Sequence, residues 1–167
     1  MSLFRFCEWL ASTPWSIALH ESHYAYLGVL AVHVLTLTVC VGTVVMIDLR
    51  LLGLTMSRAP VMEVLARLLP WSAAGLVVMV ASGALLFFAA PVLAYENLFF
   101  RFKMAALVLA AVNARVFQRT LYRRIAEWDR DPVPPPMARV AGGVSLTLWA
   151  LIITAGRMMP YQVYWFD

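Results

Sequence analysis

The run VLAVHVLTLTV, residues 29–39, holds one ionisable side chain, His33. An imidazole in such a setting can ligate a haem iron through a ring lone pair, relay a proton, or hydrogen-bond through both nitrogens. Two more histidines, His20 and His23, stand three apart in HESH, residues 20–23. On one continuous helix that spacing puts two metal-binding nitrogens on a single face. Two ligands do not name a metal. Met158 and Met159 would add soft ligands suited to copper, although adjacent helical residues point in different directions. The alternative for HESH is a pair of interfacial histidines in a salt-bridged cap, because Glu21, Glu96, Arg101, Lys103, Arg157 and Tyr161 belong to the same level. Cys7 and Cys40 form no CxxC or zinc-finger pattern, and a disulfide between them is not expected.

The elements that must position these groups are set by composition. Of 167 residues, 63% are hydrophobic and 13% charged, about half the charged share of a soluble domain. A soluble globular protein is thereby excluded, and an all-α polytopic membrane protein is predicted. Four apolar runs reach the roughly 20 residues that a crossing needs: 24–47, 71–95, 98–117 and 140–160. They lack strand alternation, so the expected fold is a single domain, a four-transmembrane-helix bundle. A short amphipathic helix over about 2–12 precedes them, lying in the interface. No cleavable leader pattern is seen, so the first span is expected to act as an uncleaved anchor.

Arg50, Arg58, Arg67, Arg115, Arg119, Arg123, Arg124, Arg130 and Arg139 fall in two loops, against Arg5, Arg101, Lys103 and Arg157 on the other side. Nine against four predicts both termini outside, with the two basic loops in the cytoplasm. The net charge of +4 therefore reports orientation and not nucleic-acid binding. Tyr161, Tyr164, Trp165 and Phe166 form an aromatic belt, and DPVPPP at 131–136 is a stiff, extended hinge. No internal repeat points to a duplicated transporter.

At about 1.5 Å per residue, His33 lies some 14 Å below Tyr24, near the middle of a core about 30 Å thick. Ser22, Tyr26, His33, Thr36, Cys40 and Thr43 share one face, which must look inward. Ser72, Gly75, Met79, Ser82 and Gly83 make a matching stripe on the second span, and Lys103, Ala106, Ala110 and Asn113 one on the third. Thr147, Ala150, Thr154 and Arg157 make one on the fourth. Close helix packing with hydroxyl bonds accounts for the small residues, and snorkelling is the alternative for Lys103 and Arg157. For His33 the alternative is a neutral imidazole bonded to Thr36 or a backbone carbonyl.

Five stretches together resemble an uncharacterised family of small bacterial four-helix membrane proteins. They are ALHES (18–22), HVLTL (33–37), the Gly42–Leu54 run with DLRLLGL, Phe102 and Lys103 with Asn113, and AGRMMPY (155–161). The resemblance implies a four-helix inner-membrane architecture and carries no established activity. LGVLA precedes His33 where relatives are expected to have a proline and an acidic residue.

Three functional classes follow. The first is a b-type haem electron-transfer subunit, with His33 as axial ligand and Lys103, Arg157 and Tyr161 toward the propionates. All three histidines precede or lie on the first span, so a sixth ligand would be Met79, Met104, a histidine of another copy, or nothing; Asn113 is a further polar contact. The second is a cofactor-free accessory or structural subunit of a membrane complex or homo-oligomer, in contact with the lipid bilayer. The third is a copper or other metal carrier using His20 and His23. A proton path through His33, Asp48 and Asn113 is a fourth option. Asp48 and Arg50 read most simply as an interfacial ion pair or a loop anchor.

Overall fold

The computed structural model describes residues 2–166, without the side chain of Phe166, and every regular element among them is helical. Two short helices come first, α1 (Leu3–Ala11) and α2 (Pro14–Glu21). The long helices α3 (His23–Leu51) and α4 (Val61–Ala89) follow, then the short α5 (Pro91–Glu96). Helix α6 (Leu98–Thr120), a 3₁₀ segment (Tyr122–Glu127), α7 (Pro136–Met158), a 3₁₀ turn (Met159–Tyr161) and α8 (Val163–Phe166) complete the chain.

Local chemistry sets these boundaries. Thr13 caps α2 by accepting from the Ser16 amide, with Pro14 at the first helical position. Ser22 ends α2 and caps α3, accepting from the Ala25 amide. Helix α4 starts at Val61, earlier than the expected Trp71, and runs through Pro70. It stops at Ala89, short of the expected Tyr95, because Pro91 disfavours helical backbone at Ala90, whose φ and ψ are −146° and 61°.

Three segments have the length and apolar composition of a membrane span: α3, α4, and α7 with the turn that follows it. They put the protein in contact with lipid. Helix α6 has 23 residues but also Arg101, Lys103, Arg115 and Arg119, and it is not among the three.

Helix α3 packs on α4 and α7, and α6 packs on α7. Glycines allow the close crossings. A Cβ at Gly75 would lie 3.1 Å from the Cys40 Cβ, and one at Gly142 would lie 3.0 Å from the Asp48 carbonyl oxygen and 3.2 Å from the Leu51 Cβ. Gly142→Ala is therefore expected to force α3 and α7 apart and cost about 1–3 kcal/mol. A lowered melting temperature in detergent checks this, and unchanged melting would refute it.

At the opposite end from α1 and α2, Leu49, Arg50, Gly53 and Leu54 close α3. The Gly53 amide donates to the Arg50 carbonyl and the Leu54 amide to the Leu49 carbonyl, each at 3.0 Å, with Gly53 at φ +76°. That paired pattern requires a left-handed residue, which glycine supplies without strain. Pro132 and Pro134 pack against Gly53, so the proline hinge is held to the end of α3.

Arg50 is 0% exposed. Its Nε donates to the Ala59 carbonyl at 3.0 Å and Nη2 to the Asp131 carbonyl at 3.2 Å. Asp129 caps α4, accepting from the Val61 amide through its carbonyl (3.0 Å) and from the Met62 amide through Oδ1 (2.7 Å). Arg50 is thus a loop anchor. No ion pair joins it to Asp48 among the described residues. Asp48 is buried against α7, with Ser145 as a hydrogen-bond partner and its Oδ2 unpartnered.

One part of the expected packing is reversed. Thr147, Ala150, Thr154 and Arg157 face outward, while Ala138, Gly142, Leu148, Trp149 and Ile152 fill the interior. The Thr147 hydroxyl donates to the Gly143 carbonyl of its own helix, so it needs no partner across the bundle. Bulky apolar side chains then take the core.

Candidate functional site: a histidine–lysine layer

A buried cluster of Cys40 (α3), Met79 (α4), Ala106 (α6) and Leu148, Trp149 and Ile152 (α7) joins all four long helices. One to two helical turns toward the α1–α2 end, the same helices contribute His33, Ser82 with Gly83, Lys103 and Gly156. The half-buried His33 has its Nδ1 2.9 Å from the Ser82 Oγ. That hydroxyl is also 2.7 Å from the Val78 carbonyl oxygen and 3.2 Å from that of Met79. A hydroxyl has one hydrogen; assigned to the shorter Val78 bond, it leaves Ser82 to accept from a protonated Nδ1. Nε2 then keeps a lone pair.

Glycines make room on both sides of this layer. A Cβ at Gly83 would lie 3.1 Å from the His33 Cε1, and one at Gly156 would lie 3.7 Å from the Lys103 Nζ. Lys103 is near enough to act electrostatically on the imidazole. Among the described residues it has no ion pair. A cation with no counter-charge and a nitrogen lone pair therefore share one small-residue layer. Chemically, the layer offers a Lewis base and an anion receptor.

The family comparison covers this whole arrangement: a model of a family of unknown function, DUF6644, matches residues 9–162. The chain belongs to DUF6644. Among curated proteins and solved structures, none matches it.

In this DUF6644 chain the other candidate residues are dispersed. Thr36 donates to the Val32 and His33 carbonyls and not to the imidazole ring. Asn113 donates to the Ala141 carbonyl at 3.0 Å, fastening α6 to α7 away from His33. Met79 lies in the apolar cluster. Arg157 and Tyr161 are exposed, with the guanidinium 5.8 Å from the ring centroid. His20 ends up on α2 and His23 on α3, because Ser22 breaks the helix on which their shared face depended. No three His, Cys, Asp or Glu side chains converge on a metal position among the described residues.

The salt-bridged cap is likewise replaced by other contacts. Among the described residues the ion pairs are Arg67–Glu63 and Arg124–Glu127, both outside it. Asn97 instead donates to the Met159 carbonyl and Arg101 to the Tyr95 carbonyl, and Gln162 accepts from the Leu98 amide. Ser82 is the partner that sequence reasoning did not assign to His33. Its place on the Ser72–Gly83 stripe was the available signal.

Proposed function

We propose that this DUF6644 protein is a four-span membrane subunit that holds a b-type haem on His33 for electron transfer. The observation that carries this reading is the layer itself. Ser82 engages Nδ1, which would leave Nε2 to ligate, as a hydrogen bond to the other ring nitrogen commonly arranges for metal-binding histidines. Lys103 would offer its charge to a propionate. When bound, the haem supplies one-electron chemistry; the chain orients the imidazole and neutralises the carboxylate. The layer provides one imidazole, so a sixth ligand would come from another subunit or a second copy. An optical spectrum of protein made with ample haem supply tests the reading, and absence of a Soret band would end it.

Helix α6 is read as the fourth span because Ala106 enters the shared core and Asn113 bonds to α7. Together with the nine basic residues at the α3–α4 and α6–α7 connections and the helix ends that flank them, this supports both termini on the periplasmic side of a bacterial inner membrane. A reporter fused after Asp167 is expected to report a periplasmic location. A cytoplasmic readout would mean that α6 does not cross.

A cofactor-free reading is favoured by one contact. The His33–Ser82 bond together with the close approach of Gly83 already makes an interhelical clasp, as an accessory subunit would need. The same spectrum separates the two readings.

A further inference from the structure

An open surface groove of about 330 Å³ lies at the α1–α2 end, between α2 and the break from α4 to α5. Ile17, Ala89, Pro91 and Leu93 line it, with His20 and Glu21 at its polar side. No lysine or arginine is in the wall. Two helices end here, α2 at Glu21 and α4 at Ala89, and α4 has no basic residue in its last turn. Helix C-termini carry partial negative charge, which adds to the Glu21 carboxylate. Trp15, 80% exposed, and Tyr24, 92% exposed, stand on the neighbouring first turns of α2 and α3. Such aromatic residues mark the headgroup level of a bilayer.

We infer that this groove binds a phospholipid with a primary ammonium headgroup. The ammonium has three N–H donors, which suit the Glu21 carboxylate and the partial negative charge of the two helix ends, where the Phe88 carbonyl already accepts from the Ser16 hydroxyl at 2.8 Å. A ring N–H of His20 donates to the lipid phosphate. The apolar glycerol-proximal chain lies on Ile17, Pro91 and Leu93. A trimethylated ammonium is bulkier and has no N–H to donate, and an anionic headgroup is repelled by the carboxylate. The groove thus selects by hydrogen bonding at the headgroup. This site is separate from the His33 layer and does not depend on it.

The test uses the full chain reconstituted in bilayers of equal parts phosphatidylethanolamine, phosphatidylcholine and phosphatidylglycerol. Lipids that stay bound after detergent extraction are quantified by mass spectrometry. Wild-type protein is expected to retain phosphatidylethanolamine over phosphatidylcholine by about fivefold or more. Glu21→Gln, a change at an exposed position, should bring that ratio close to one. His23→Gln, outside the groove wall, should keep it. Equal retention by the wild type, a preference for phosphatidylglycerol, an unchanged ratio in Glu21→Gln, or loss of preference in His23→Gln would each overturn the assignment.

Discussion

Replacing His33 by alanine is expected to abolish Soret absorbance while the protein still inserts in the membrane. Insertion is governed by the apolar length of α3, which the substitution leaves intact. In the haem reading, retention would depend on ligation by Nε2, and no other histidine lies in the layer. Ser82→Ala keeps the ligand but removes the bond that sets its tautomer, and should weaken haem binding by about 10–100-fold. Lys103→Ala removes a charge-assisted contact and should weaken it by about 10–100-fold as well, with the iron ligand retained. A Soret band that survives in His33→Ala would place the haem elsewhere. In the clasp reading no band exists in any variant, and His33→Ala costs only about 1 kcal/mol, the usual scale of an interhelical hydrogen bond in lipid.

The largest stability loss is expected at Arg50. Its side chain is fully enclosed and bonds carbonyls from two separate loops, at Ala59 and Asp131. Arg50→Ala leaves both carbonyls unmet and opens a cavity beside Ile47, Leu51, Val61 and Trp128, the neighbouring core at this end. The summed cost is about 3–5 kcal/mol. Arg50→Lys should recover only part of it, since an ammonium lacks the planar fork that reaches two acceptors at once. Equilibrium unfolding in mixed micelles measures the difference. Equal stability of Arg50→Ala and wild type would show that the tie is dispensable.

Much of this architecture could be read from residue order. The apolar runs marked α3, α4 and α7, and the small-residue stripe on α4 does face α3 through Gly75, Ser82 and Gly83. Other features had legible signals that were outweighed. Thr13-Pro14 is a helix start, yet no helix was expected between the interfacial one and the first span. Pro91 marks the end of α4, yet continuous hydropathy carried the expected span to Tyr95. The outward face of α7 was misread because small and hydroxyl residues also suit lipid when their own backbone satisfies them. The Ser82 partnership was not readable, because the axial register between two helices depends on side-chain packing along their whole length. A single sequence lists the stripes without aligning them.

The tie at Arg50 also orders events during synthesis. The α3–α4 hairpin is complete in the growing chain well before residues 129–131 exist. Until they are made, the Met62 amide lacks its Asp129 cap and the Arg50 guanidinium has one of its two carbonyl partners. The hairpin therefore enters the bilayer unlatched at this end, and it can close only after the ribosome has delivered α6 and the segment following it. A nascent chain that stalls before Asp129 would leave a half-built protein whose arginine has water in place of its second carbonyl partner.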